Sequence, residues 1–94
     1  INNNGGGIFE LLPIAEYNPP FEDFFATPQH IDFAQLCKTY SVDYQKIQTW
    51  HQLKQLLNPL PKQGIRVLEI PTNRKLDAQW RLNTLAQFAV NLEF

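Results

Sequence analysis

"IRVLEI", from Ile65 to Ile70, is the stretch that most restricts how this chain folds. It follows Gly64 and stops at Pro71, and a short β-branched apolar run bounded in this way reads as a strand. A second run, "VDYQKI" from Val42 to Ile47, alternates in polarity and reads as another strand. Between them Thr49 and Gln52 form a capping box, and Trp50, Leu53, Leu56 and Leu57 follow at helical spacing until Pro59 and Pro61 end the helix. Strand, helix and strand in this order make a βαβ unit, which sets the two strands parallel. The class is α/β, a partial parallel sheet flanked by helices. Parallel sheets are normally covered on both faces, so the chain is expected to supply part of a larger sheet.

The remaining periodic segments read as helices. Asp32 is placed to cap a helix over Phe33 to Tyr40, with Phe33, Leu36, Cys37 and Tyr40 on its apolar face. Leu76, Trp80, Leu85, Phe88, Ala89 and Leu92 recur at near-helical spacing, which predicts a long helix over Arg74 to Asn91. Trp50 and Trp80 fall on apolar stripes and are expected to be core or domain-contact anchors. In "FEDFF" the rings of Phe21, Phe24 and Phe25 stand at i, i+3 and i+4, giving one helical turn with an aromatic face for the core. Ile8 to Leu12 predicts a short helical turn that Pro13 ends.

Bulk properties exclude several functions. With 94 residues the chain holds one domain at most, read as a single piece over residues 1–94. A hydrophobic share of 44% exceeds what disorder shows, and a net charge of -1 gives no general attraction for nucleic acid or anionic membrane. No apolar run approaches the roughly 20 residues of a membrane span. Cys37 is the single cysteine, so neither an intrachain disulfide nor a cysteine zinc cage forms, in keeping with a cytoplasmic setting. His30 and His51 have no metal-pair spacing, and Cys37 lies on an apolar helix face as an inert thiol. Glu22 and Asp23 are adjacent and diverge on a helix, so they read as a solvated face rather than a paired acid and base.

The chemistry-bearing stretch is "NNNGGGIF", Asn2 to Phe9. The chain contains no methionine, so Ile1 is not an initiator residue and further chain is expected before it. Ile1 is then expected to end a strand, which sets Asn2 to Gly7 at the carboxyl edge of the sheet, where parallel sheets bind ligands. A hard cation takes oxygen ligands, and an asparagine side chain with a nearby backbone carbonyl supplies two neutral ones. Glycines let the backbone approach phosphate closely, and a helix starting near Ile8 would turn its first N–H groups towards an anion. Asn and Gly are also the commonest turn formers, so composition alone equally describes a plain turn.

The longer string "NNNGGGIFELLP" resembles the second half of the cofactor motif of thiamin diphosphate enzymes. Its GG-x-IF-x-LLP continuation is similar to the 2-succinyl-5-enolpyruvyl-6-hydroxy-3-cyclohexene-1-carboxylate synthases among them. "FEDFFATPQHIDFAQLCKTYSVDYQKIQTWHQL", Phe21 to Leu53, continues the likeness, which weakens after about Pro59. The resemblance implies the C-terminal portion of a thiamin diphosphate-binding domain, with Mg²⁺ or Mn²⁺. It also implies that Asn3 binds the metal through its side chain and Gly5 through its carbonyl. Gly5, Gly6, Ile8, Phe9 and Leu12 would face the cofactor, while Asn2 and Asn4 shape the loop. It further implies 2-oxoglutarate and isochorismate as substrates, a homo-oligomer, and menaquinone or phylloquinone synthesis as the setting. None of Glu10, Glu16, Glu22, Glu69 or Glu93 matches the family's cofactor-activating glutamate, so no catalytic residue is expected in this chain, and alone it is expected to be inactive. Two alternatives stand beside this one: another thiamin diphosphate-dependent decarboxylase or carboligase, and a non-enzymatic α/β interaction module.

Overall fold

The computed structural model describes residues 1–92, and Glu93 lies outside them. Five regular elements follow in order: α1 (Phe33–Thr39), β1 (Asp43–Lys46), α2 (Trp50–Leu57), β2 (Arg66–Glu69) and α3 (Arg74–Val90). Ahead of α1 come two 3₁₀ turns, Gly7–Leu11 and Pro13–Glu16, and a π-helical turn, Glu22–Ala26. The elements group into two compact units, one made of Ile1–Asn2 with His30–Pro71, the other of Asn3–Gln29 with Thr72 onward.

The first unit is the βαβ fold. β1 and β2 pair in parallel with Asp43 opposite Arg66 and Lys46 opposite Glu69, and the ladder runs on through Ile47 N–H to the Glu69 carbonyl at 2.8 Å. Both strands are shorter than the runs that announce them, by one residue at each end. Asn2 adds a third parallel bridge, opposite Pro71, with its N–H donating to the Ile70 carbonyl at 2.9 Å. α1 packs on β1 and buries Cys37, and Ile47 is buried at the end of β1. Leu36 and Tyr40 are exposed, so of that helix's predicted apolar face only Cys37 is truly buried.

α1 and α2 begin where Asp32 and Thr49 predict, and α3 begins after Asn73, a cap that the periodicity alone does not name. Asp32 Oδ1 accepts from Gln35 N–H at 3.0 Å and Thr49 Oγ1 from Gln52 N–H at 3.1 Å. Asn73 Oδ1 accepts from the N–H groups of Lys75 and Leu76 at 3.1 and 3.0 Å. Each supplies an acceptor to a first-turn donor that has no partner inside the helix. The Gln52 side chain reaches back to Gln48 N–H, one residue ahead of the cap itself.

In the second unit the Gly7–Leu11 turn ends ahead of Pro13, with Leu12 extended before the proline, and Pro13 opens a new 3₁₀ turn, since proline suits a first helical position. Phe21 is wholly buried, stacks on Phe25 with ring centres 6.2 Å apart, and Phe25 meets Phe9 edge-on at 5.9 Å. Phe24 is 78% exposed, which corrects the expectation of a three-ring core face. The reason is local: the π-helical turn spreads its residues wider than an α-helix, so i+3 no longer shares a face with i and i+4. Trp50 and Trp80 are likewise exposed, as are Leu76, Leu85 and Phe88 along α3, so none of these is a core residue of its unit. Periodicity marks the face a helix offers, whereas burial also requires an element to receive it.

Truncating Phe21 and Phe24 separately tests this division. Phe21→Ala is expected to cost about 3–5 kcal/mol, and Phe24→Ala less than about 0.5 kcal/mol, both read from the midpoint of urea unfolding. Equal losses would restore the shared aromatic face.

Candidate functional site

The Asn3 to Gly7 loop is held by its own backbone. Asn4 takes a left-handed φ of 56°, tolerable for asparagine, and Gly5 a φ of 142°, which side chains rarely adopt. A Cβ on Gly5 would also stand 2.5 Å from the Ala26 carbonyl oxygen. Gly6 has an ordinary φ, but its Cβ would meet the Phe25 carbonyl at 2.6 Å and the Phe9 ring at 2.7 Å. Glycine is required at both positions, at the first by conformation and close approach, at the second by close approach alone.

The donors and acceptors of this loop are largely committed to one another. Gly6 N–H donates to the Ala26 carbonyl at 2.7 Å, and Gly7 N–H to the Gly5 carbonyl at 2.9 Å. These two N–H groups therefore turn inward, and the Phe9 N–H likewise donates to the Gly6 carbonyl at 3.0 Å. The Asn3 side chain lies over the loop: Oδ1 accepts from Gly5 N–H at a long 3.3 Å, and a Cβ on Gly7 would stand 2.5 Å from Nδ2. A carbonyl oxygen has two lone pairs and an amide oxygen likewise, so Asn3 Oδ1 and the Gly5 carbonyl each keep capacity for a hard cation. This neutral oxygen pair fits a metal whose charge is met by a diphosphate. Among the described residues no cluster of three or more His, Cys, Asp or Glu offers a competing site.

The apolar residues divide. Ile8 is exposed and, with Asn3, Gly7, Leu11, Arg74 and Arg81, lines a cavity of about 320 Å³. Phe9 instead packs against Phe25, and Leu12 lies outside that lining. The structure thus brings Ile8 together with Asn3 but turns Phe9 partly into its unit's own packing.

Sequence reasoning passed over Arg74. Its guanidinium bonds to Glu10 and forks onto Glu22, with Nη2 2.5 Å from Oε2 and Nη1 3.1 Å from Oε1. Lys75 Nζ adds a contact to Glu22 at 3.0 Å. The Arg74 and Glu10 side chains keep only 11% and 8% of their exposure, so that pair is largely shielded from water, while Lys75 stays exposed. Glu22 is accordingly an ion-pair partner and not the solvated carboxylate its neighbour Asp23 suggested. A signal was present: two basic residues open α3, where the positive end of the helix dipole disfavours them, so acidic partners had to lie nearby.

Glu69 is the other committed carboxylate. Tyr44 faces it from β1, two positions along the register and hence on the same side of the sheet, and donates its hydroxyl to Oε2. Asn2 Nδ2 donates to Oε1 at 2.8 Å. The bonds from Asn2 and then Tyr44 hold the Glu69 carboxyl below the usual carboxylate range, and the same contact raises the Tyr44 phenol to about 12. Glu10, Glu22 and Glu69 thus each accept from a side-chain partner within these networks.

The bonds from Arg74 and then Lys75 lower the Glu22 carboxyl from 4.5 to about 2. A depressed carboxylate stabilises the fold above its unfolded pKa, and that contribution disappears as pH falls through the folded value. Acid titration followed by circular dichroism should therefore show stability falling between about pH 4.5 and pH 2. Glu22→Gln should flatten that part of the profile while lowering stability at neutral pH. An unchanged acid limb in Glu22→Gln would remove the ion pair from the account.

No family model matches the chain. Curated proteins do. Over 88 residues, 94% of this chain, it is 67% identical to a 2-succinyl-5-enolpyruvyl-6-hydroxy-3-cyclohexene-1-carboxylate synthase of Trichodesmium erythraeum, covering 15% of that protein. It is 66% identical over 91 residues to the synthase of Trichormus variabilis (97% of this chain, 16% of the relative), and 60% identical over all 94 residues to that of Rippkaea orientalis (16% of the relative). The chain therefore spans about 15% of the length of these relatives. Over nearly its whole length it is homologous to a segment of the 2-succinyl-5-enolpyruvyl-6-hydroxy-3-cyclohexene-1-carboxylate synthases.

Proposed function

We propose that the chain is the C-terminal portion of the thiamin diphosphate-binding domain of a synthase that decarboxylates 2-oxoglutarate and joins the product to isochorismate, in menaquinone or phylloquinone synthesis. The carrying observation is the identity of 57% to 67% with synthases of that name over most of the chain. The Asn3 to Gly7 loop supports it with chemistry, because two neutral oxygens on one short loop suit Mg²⁺ or Mn²⁺ beside a diphosphate.

Thiamin diphosphate, when bound, supplies the electron sink that makes loss of carbon dioxide from a 2-oxo acid accessible. The residues of this chain bind and orient. Asn3 Oδ1 and the Gly5 carbonyl would take two positions on the cation and leave its charge for the phosphates. Gly5 and Gly6 keep side chains out of the loop, so that backbone can approach a ligand. Ile8 lines the cavity with an apolar side chain, where it would exclude water from the reacting region, while Phe9 and Leu12, outside that lining, would add apolar surface only beside it. The activating glutamate and the arginines for the substrate carboxylates would come from elsewhere in the synthase, and this segment by itself would be inactive. As a whole the enzyme would be a cytoplasmic homo-oligomer.

The test follows isochorismate loss by the full-length protein with 2-oxoglutarate, Mg²⁺ and thiamin diphosphate, then repeats it with Asn3→Ala. Turnover is expected, and Asn3→Ala should lose at least about tenfold, since even the outer partners of metal ligands cost that much. Excess Mg²⁺ should restore part of it. Cofactor binding without turnover of these substrates would point to another carboligase, and no cofactor binding would reduce the loop to a turn in an interaction module.

A further inference from the structure

The walls of the Asn3 to Gly7 loop both end at one side chain. The loop runs directly into the 3₁₀ turn Gly7–Leu11, which carries Glu10. Its other side rests on the π-helical turn Glu22–Ala26, through the Gly6 bond to Ala26 and the close approach of Gly5 to the same carbonyl. Arg74 bonds to Glu10 in the first turn and forks onto Glu22 in the second. It also lies alongside the loop, lining one cavity with Asn3 and Gly7, and a Cβ on Gly5 would lie 3.5 Å from Arg74 Nε.

We infer that Arg74 is a positioning residue for the cation loop, holding Glu10 and Glu22 so that the two turns fix where Asn3 Oδ1 and the Gly5 carbonyl sit. This rests on the proposed cofactor reading of that loop. A direct grip on phosphate is the less favoured role, because the positive charges of Arg74 and Lys75 are matched by the two carboxylates they contact. An arginine suits the task because its planar fork engages two carboxylates in fixed directions, which the point charge of a lysine does not.

The test uses the full-length protein and measures the Mg²⁺ concentration needed for half-maximal thiamin diphosphate binding, read by calorimetry, alongside thermal unfolding. Arg74→Gln is expected to raise that concentration by about tenfold to a hundredfold at a temperature where the variant is fully folded. Arg74→Lys should fall between it and the parent. Should Arg74→Gln fail to fold, Glu10→Gln, which keeps the fork onto Glu22, should still raise the Mg²⁺ requirement severalfold. A folded Arg74→Gln, or in its place Glu10→Gln, with lowered thermal stability but an unchanged Mg²⁺ requirement would overturn the inference and leave Arg74 purely structural. A parent protein that binds no thiamin diphosphate, or binds it without Mg²⁺, would instead overturn the cofactor reading and the inference with it.

Discussion

The Arg74 cluster is the interaction on which the second unit depends. Two cations at the start of α3 face the positive end of the helix dipole, an unfavourable arrangement in isolation. Glu10 and Glu22 reverse its sign, and because the Arg74 and Glu10 side chains are nearly buried, bulk water screens the pair weakly. The fork of a guanidinium gives direction as well as attraction, so three segments far apart in sequence are brought to one point. The glycine loop inherits its shape from that arrangement. Glycine at positions 5 and 6 permits the close contact with Phe25 and Ala26, and the ion cluster holds the contacting turns in place.

The first unit solves a comparable problem with a neutral partner. Glu69 is a charged residue in a mostly apolar strand, which is costly unless its oxygens are bonded. Tyr44 reaches one oxygen and Asn2 the other. Because residues two apart on a strand share a face, the parallel register alone brings Tyr44 over Glu69. Asn2 is thereby tied to β2 through its side chain and through its backbone bond to Ile70. These bonds make it an anchor of the strand end.

Much of the secondary structure was legible because its causes are local. Asp32 and Thr49 each sit within three residues of the N–H groups they cap, and the βαβ order of "VDYQKI", helix and "IRVLEI" leaves parallel pairing as the short-connection solution. The loop around Asn3 and Gly5 was legible through residue chemistry and through its resemblance to a cofactor motif. The burial of aromatic residues was not. Phe21 and Phe24 are equally apolar, yet one is wholly buried and the other mostly exposed, because a π-helical turn changed their relative directions.

By itself the sequence determined the helix starts, the parallel strand pair, the glycine requirement of the loop and the oxygen chemistry it offers. These follow from residue type and short spacing. Only the tertiary structure decided that Gly6 spends its N–H group on Ala26, that Phe9 packs on Phe25, and that Arg74 joins Glu10 to Glu22. Those outcomes depend on partners 20, 64 and 52 residues away along the chain for Gly6, Glu10 and Glu22. A donor or a charge announces that it needs a partner, but which partner it meets is set by how the chain folds back on itself.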